Sequence, residues 1–357
     1  MIGARAISAD APPMNKVPCA KDARQGAAAF RRALRNWFSA NGKSYPWRET
    51  RDPYAIWVSE VMLQQTQIAT VLGKGYYTRF LEKFPNISCL ATAEDDELLK
   101  AWEGLGYYRR ARLMRETARE VMTRHAGIFP NKYEDLIALP GIGRYTAGAL
   151  LAFAFGKPAA LVDGNIARVL SRVMDFQQPI DDASGTKKIW EWAEILSDRL
   201  HPRIYHSALM ELGQLICKPS QPNCGACPVA KFCLTQDPQF LPKKRARPVV
   251  TQVTEHALWV RNLDGKLLLH QESNRRRQGL WKLPIREADE LSDWPILTEC
   301  HYAITRYRVH LMVHEPLRQM SDFDLRSGES FHSADEALAL AMPSPFRRVI
   351  EKLLSSC

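Results

Sequence analysis

The chain has 357 residues, 46% of them apolar, and a formal net charge of +10. That length suits two ordinary domains, and that apolar share can build a core in each. No apolar run approaches the roughly 20 residues that would span a bilayer, which excludes an integral helical membrane protein, and the basic excess points to a polyanionic partner, nucleic acid before an anionic membrane surface.

Residues 1–25 are rich in Ala and Pro, contain Arg and Lys, and lack the apolar segment of a secretory signal. They are expected to form a disordered tail, with an organelle transit peptide as the alternative. The eight Cys do not suit a small disulfide scaffold. Four cluster tightly, while Cys19, Cys89, Cys300 and Cys357 show no ligand spacing. The expected compartment is therefore reducing and cytoplasmic, nucleoid-associated in a bacterial cell.

From Ala27 to Met174 apolar residues recur at helical spacing, as in Ile166, Val169, Leu170 and Val173, or Val58, Val61, Met62 and Leu72. Pro and Gly punctuate these segments, and the pattern continues through Trp190, Trp192, Ile195 and Leu196 to the Cys cluster. Residues 26–235 read as one all-α domain. Within it, Glu60 lies in a helix with apolar residues on several sides. It is either exposed on an amphipathic face or partly buried, and burial would hold it protonated.

Leu139-Pro140-Gly141-Ile142-Gly143-Arg144-Tyr145 separates two helical patterns. The glycines permit a tight turn with positive φ, which would aim backbone N–H groups at a DNA phosphate; a plain helix–helix turn is the alternative. Asp163-Gly164-Asn165 precedes the Ile166 helix. Either polar residue could simply cap that helix, or a carboxylate there could be kept ionised by the helix dipole and stabilise a cation. One carboxyl held as an acid and the other as an anion is the division of labour of glycosidic bond cleavage.

Cys217, Cys224, Cys227 and Cys233 are separated by six, two and five residues. Four thiolates suit zinc or a four-iron cluster, and a single short knuckle favours iron–sulfur over zinc. The basic, Pro-rich residues 236–254 read as a linker, able to add phosphate contacts. Beyond it, residues 256–270 read as a β-hairpin around Asp264-Gly265, Cys300 to His314 as a strand, and Ala334–Ala341 and Pro345–Leu354 as helices. Residues 255–357 are expected to form a small α+β domain.

Pro46-Trp47-Arg48, Ser59 to Gln67, Gly104 to Tyr108, the Leu139 hairpin, Val162 to Asn165 and the four Cys together resemble the helix-hairpin-helix glycosylases of the endonuclease III superfamily. Ser59-Glu-Val-Met-Leu-Gln-Gln-Thr-Gln67 is most similar to the adenine DNA glycosylases of the MutY type. The resemblance implies an all-α glycosylase domain with a [4Fe–4S] loop and a C-terminal Nudix-like domain. It implies a monofunctional enzyme that removes adenine mispaired with 8-oxoguanine or guanine in duplex DNA; a monomer is the default expectation.

The same resemblance implies roles. Glu60 would protonate the adenine and help activate water, Asp163 would stabilise the sugar cation or form a transient covalent adduct with it, and Tyr145 and Asn165 would orient groups at the sugar. Trp47, Arg48, Leu63 and Glu211 would line the adenine pocket. Gln65 and Tyr107 would probe the duplex, while Gly141, Gly143 and Arg144 would hold phosphate. The bifunctional members carry a Lys, not a Tyr, at the Tyr145 position, because their amine attacks the sugar. Gln278 to Pro284 is similar to the Nudix signature, without the acidic metal-binding helix. Ile304-Thr305-Arg306 stands where a Phe-Ser-His loop would contact 8-oxoguanine. The alternatives are a bifunctional pyrimidine-lesion glycosylase/lyase and a non-catalytic DNA-binding iron–sulfur protein.

Overall fold

A computed structural model describes residues 20–246, 249–274, 277–316 and 325–355, with side chains described from Gly26 onward. Most of the expected tail, with Cys19 and Cys357 and the linker residues Arg247 and Pro248, lies outside the described residues. The first helix begins at Ala20, inside the stretch expected to be tail, and runs to Asn41. Its Ala, Lys, Arg and Gln content is that of a strong helix former.

The chain forms two compact units. One contains the described residues up to Lys43 together with 162–244, and the other contains the described residues of 44–161 and 245–357. This grouping differs from the expected boundaries, because contacts far apart in sequence, not chain order, decide which segments are compact together.

In the first unit, helices Ala20–Asn41, Gly164–Val173, Ala183–Leu196 and Pro202–Leu215 surround a common core. Phe30, Leu34, Ile166, Val169, Leu170, Tyr205, Leu209 and Leu212 are almost wholly buried there. Asp163 and Asp182 each cap a helix by accepting a backbone N–H. The expected linker starts too early: Leu241 is 2% exposed, its carbonyl accepts Arg172 Nε at 2.9 Å, and the Lys243 carbonyl accepts the Ile180 amide. An apolar side chain with a core to enter holds this segment down in spite of its charged neighbours.

The second unit opens with short helices. Pro53–Met62 is buried at nine of its ten positions, which accounts for its nearly continuous apolar sequence. Leu72 does not extend that helix as the spacing suggested, but belongs to Ile68–Gly73. Helices Asp95–Ala101 and Arg109–Arg124 follow, then Tyr133–Ile137 and Arg144–Ala149 flank the glycine hairpin.

The C-terminal part of this unit has seven strands among its described residues. They are β1 (Thr251–Leu258), β2 (Leu267–Gln271), β3 (Trp281–Lys282), β4 (Ile285–Arg286), β5 (Ile296–Ile304), β6 (Tyr307–His314) and β7 (Glu329–His332). One sheet has the order β4-β1-β6-β5, with β1 and β6 parallel, and the other has the order β3-β2-β7. Helix Ser344–Ser355 supplies Phe346, Val349, Ile350 and Leu353 to the core against Leu311 and Val313. A buried ion pair, Arg286 to Glu329 at 2.7 Å, joins the two sheets.

Two strand expectations change. The Asp264-Gly265 turn forms, with Gly265 at φ +74°, but β1 and β2 then diverge into different sheets. Pairing with β6 buries Ala257, which a longer local hairpin would not do. The stretch Cys300–His314 is two antiparallel strands that reverse at Thr305-Arg306, with Thr305 at φ +51°.

The sheets pack directly on the helical part of the same unit. Arg347 grips Glu103 through Nε at 2.7 Å and Nη2 at 3.2 Å. The buried Tyr108 hydroxyl donates to the Met342 carbonyl at 2.9 Å, and Arg112 donates to the Gln278 carbonyl at 2.5 Å.

Candidate active site

The second unit carries one carboxyl of the expected pair. Asp52 starts helix Pro53–Met62 by accepting the Tyr54 and Ala55 amides, and the helix then buries Glu60 at 5% exposure. The plain alternative of an exposed Glu does not hold. Tyr145, at the start of the helix after the glycine hairpin, donates its hydroxyl to Glu60 Oε2 at 2.6 Å. A phenol is a donor that cannot itself attack a sugar as an amine can.

Gly141 sits at φ +75°, as the tight turn requires, and is exposed. Gly143 is different from expectation: it is extended, at φ −93° and ψ 178°, and serves as the residue before helix Arg144–Ala149. A side chain at Gly143 would meet open space, so the exposed hairpin tip leaves room for a partner. Arg144 is exposed beside it.

The remaining expected residues of this unit flank the same helices. Trp47 is buried, stacked on Tyr45 at 5.3 Å and edge-on to Tyr77, while the Arg48 guanidinium lies 4.7 Å from the Tyr45 ring centre. Leu63 ends the Glu60 helix and is half-buried. Gln65 and Tyr107 are both exposed, at φ +62° and +47°, a region that L side chains seldom occupy. At the end of the β5–β6 hairpin Thr305 and Arg306 are exposed, and Arg306 lies along the Tyr307 ring with Nη2 3.2 Å from its hydroxyl.

The first unit carries the other carboxyl. Asp163 Oδ1 accepts the Ile166 amide at 2.7 Å, and Oδ2 accepts Asn165 Nδ2 at 2.9 Å. Burial nevertheless pushes the Asp163 carboxyl above its usual value, against these hydrogen bonds and the nearby Arg168 charge. Asp163 therefore caps the helix, and burial, the larger influence, raises its pKa against the local donors. Glu211 is wholly buried and accepts the Lys43 amide at 2.9 Å.

Two arginines that sequence reasoning passed over tie this region together. Arg168 donates to Asn165 Oδ1 at 2.9 Å, to the Gly213 carbonyl at 2.6 Å and to the Cys217 carbonyl at 2.9 Å. Arg172 donates to the carbonyls of Cys217, Lys218, Pro219 and Leu241 and lies 3.3 Å from Cys217 Sγ. Their only signal in the sequence was two Arg one helical turn apart among apolar residues.

Cys217, Cys227 and Cys233 are half-buried and Cys224 is exposed. Burial pushes the Cys227 thiol up to about 11, and the charges of the other three act in the same direction. Burial raises the Cys233 thiol as well, and a thiol raised in this way yields its proton when a cation binds. Among the described residues, no three His, Cys, Asp or Glu side chains close on a single ion.

Gly213 is a third position the sequence did not single out. A Cβ there would lie 2.7 Å from Asn165 Cβ. Gly213→Ala is expected to displace Asn165 and slow base release about tenfold or more, since small misplacements at a reacting centre are costly. Single-turnover assays of this variant check it; an unchanged rate would show that Asn165 has no part in orienting the site.

A model of the HhH-GPD superfamily of base excision DNA repair proteins matches residues 58–194. The adenine DNA glycosylase of Buchnera aphidicola subsp. Baizongia pistaciae is 32% identical over 348 residues, covering 91% of this chain and 96% of that protein. The chain belongs to the adenine DNA glycosylase family. The human member of the family is 42% identical over 214 residues, but that match covers 57% of this chain and 39% of the human protein. Among solved structures, a thermostable thymine-DNA glycosylase aligns with a TM-score of 0.54 at 30% identity, covering 59% of this chain and 96% of that one. Family membership agrees with a helical glycosylase region followed by an α/β region with sheets. Among the described residues, no helix is long and apolar enough to cross a membrane.

Proposed function

We propose that this protein hydrolyses the N-glycosidic bond of adenine mispaired with 8-oxoguanine or guanine in duplex DNA. The observation that carries the reading is the Tyr145 hydroxyl on the buried Glu60 carboxyl at 2.6 Å. It supplies an acid held in place and puts a phenol where a lyase would need an amine. Glu60 protonates the departing adenine, so the base leaves neutral while its glycosidic bond breaks, and then assists the incoming water. Asp163, oriented by Asn165, stabilises the positive charge that develops on the sugar.

The bond is unreachable inside the base stack, so the nucleotide must be extruded first. Trp47, Arg48 and Leu63 contact the adenine in this reading, and family resemblance alone adds Glu211 to them. Gln65 and Tyr107 probe the duplex, and Gly141, Gly143 and Arg144 hold a phosphate. Cys217, Cys224, Cys227 and Cys233 hold a [4Fe–4S] cluster. The single short knuckle, with intervals of six and five residues on either side, supports a four-iron cluster over zinc. The bound cluster would stiffen the basic loop; base hydrolysis itself needs no electron transfer.

Residues 26–235 act as the glycosylase domain and 255–357 as a Nudix-like reader of the base opposite adenine. Exposure of Thr305 and Arg306 at a hairpin end supports that role. Single-turnover base release from duplexes with A opposite 8-oxoguanine, G, C or T tests the reading, with alkali cleavage scored separately. Adenine release opposite 8-oxoguanine and G, with breaks only after alkali, is expected. Thymine release from T opposite G without adenine release, or borohydride trapping of a covalent adduct, would overturn it. Replacing Thr305 and Arg306 together by Ala is expected to lower the preference for 8-oxoguanine over G about tenfold, the scale of a lost charge-assisted contact. An unchanged ratio would remove the hairpin from the recognition surface.

A further inference from the structure

Two exposed residues of the second unit hold left-handed backbone: Gln65 at φ +62°, just beyond the Glu60 helix, and Tyr107 at φ +47°, just before helix Arg109–Arg124. Neither is a glycine, so the surrounding structure must enforce each conformation. Both turns converge on one side chain. Arg110 Nη1 donates to the carbonyls of Val61 at 2.7 Å, Met62 at 3.3 Å and Gln64 at 2.5 Å. Its Nη2 donates to the carbonyls of Leu105 at 2.9 Å and Gly106 at 3.2 Å. The guanidinium carbon also lies 5.3 Å from the Trp102 ring centre and 5.7 Å from that of Tyr107.

We infer that Arg110 is a positioning residue for base extrusion: its planar fork joins the Gln65 turn to the Tyr107 turn, so the two exposed side chains meet the duplex as one rigid element. The inference rests on the reading that Gln65 and Tyr107 probe the duplex. Only a guanidinium can serve both sets of carbonyls at once, since its donors diverge in a fixed plane. Burial lowers Arg110 to about 10, which leaves it charged at neutral pH. The cation also complements the carbonyl end of the Glu60 helix. No substrate contact is assigned to Arg110; it acts through its neighbours.

The test uses the full-length protein and a duplex with 2-aminopurine beside the target adenine, whose fluorescence reports unstacking. Four proteins are compared: wild type, Arg110→Lys, the Gln65→Ala/Tyr107→Ala double variant, and the triple combination. Extrusion by Arg110→Lys is expected to slow about tenfold or more, because misorientation of a positioning element costs on that order. The double variant should slow as well, and adding Arg110→Lys to it should cause no further loss. If Arg110→Lys unfolds the protein, Arg110→Gln, which can donate to one turn only, takes its place.

Normal extrusion by the Arg110 variants would overturn the inference. An equal loss in the background lacking both side chains would also overturn it, by showing that Arg110 acts on something else. Normal extrusion by the double variant would overturn the underlying reading of Gln65 and Tyr107, a result distinct from either.

Discussion

Glu60→Gln is expected to lower single-turnover adenine release by about 10²–10⁴-fold, the range that a positioned proton donor contributes. Gln has the same size and shape, and its amide oxygen can still accept the Tyr145 hydroxyl that now sits 2.6 Å from Oε2. Packing around the buried helix Pro53–Met62 should therefore survive, and binding to a duplex with A opposite 8-oxoguanine should change little. What is lost is the proton for the departing base. Rates are to be read beside melting temperature and DNA affinity. A variant that folds, binds and releases adenine at the wild-type rate would remove Glu60 from the mechanism, and with it the weight placed on the Glu60–Tyr145 contact. Tyr145→Phe provides the companion measurement: it should slow release by less than Glu60→Gln, since it keeps the acid and removes only the phenol's hydrogen bond.

Asp163→Asn should separate activity from stability in opposite directions. Asn can cap the Ile166 helix as well as Asp does, accepting the amide now 2.7 Å from Oδ1. It cannot offer a negative charge to the sugar, so base release should fall by about 10²-fold or more, as when an electrostatic group is removed from a transition state. Stability should move the other way. Burial raises the folded-state pKa of Asp163, so the folded protein binds this proton more tightly than the unfolded chain. The stability linked to this group is fully present below the ordinary Asp value of about 3.9 and is lost as pH rises through the folded value. Ionised Asp163 thus weakens the fold at neutral pH. The variant should melt at a higher temperature there. The advantage should shrink toward the acid end. Thermal melts across pH, paired with single-turnover rates, check both halves. A lower melting temperature at neutral pH would mean that the hydrogen bonds from Ile166 and Asn165 outweigh desolvation, and retained activity would remove Asp163 from the reaction. Higher stability with lost activity is the trade expected where function holds a charge in an unfavourable place.

The amino-acid sequence determined the features that repeat or cluster locally. Helical spacing of Ile166, Val169, Leu170 and Val173 marked a buried helix face, and all four are buried in helix Gly164–Val173. Asp163 marked a helix start, which its acceptance of the Ile166 amide bears out, whereas the apolar surroundings of Glu60 left its burial open. These signals survive in one dimension because each depends on residues within a few turns of one another. Only the tertiary structure decided what lies far apart in sequence. Tyr145 meets Glu60 across 85 positions, β1 bypasses its neighbour to pair in parallel with β6, and Leu241 enters a core from a segment that reads as linker. Arg110, Arg168 and Arg172 were illegible for a further reason. Their partners are mostly backbone carbonyls, which every residue has and no sequence distinguishes. The same limit applies to Asp163: a helix dipole can be read from position, but desolvation depends on which side chains close around the carboxyl, and the folded chain alone settles that.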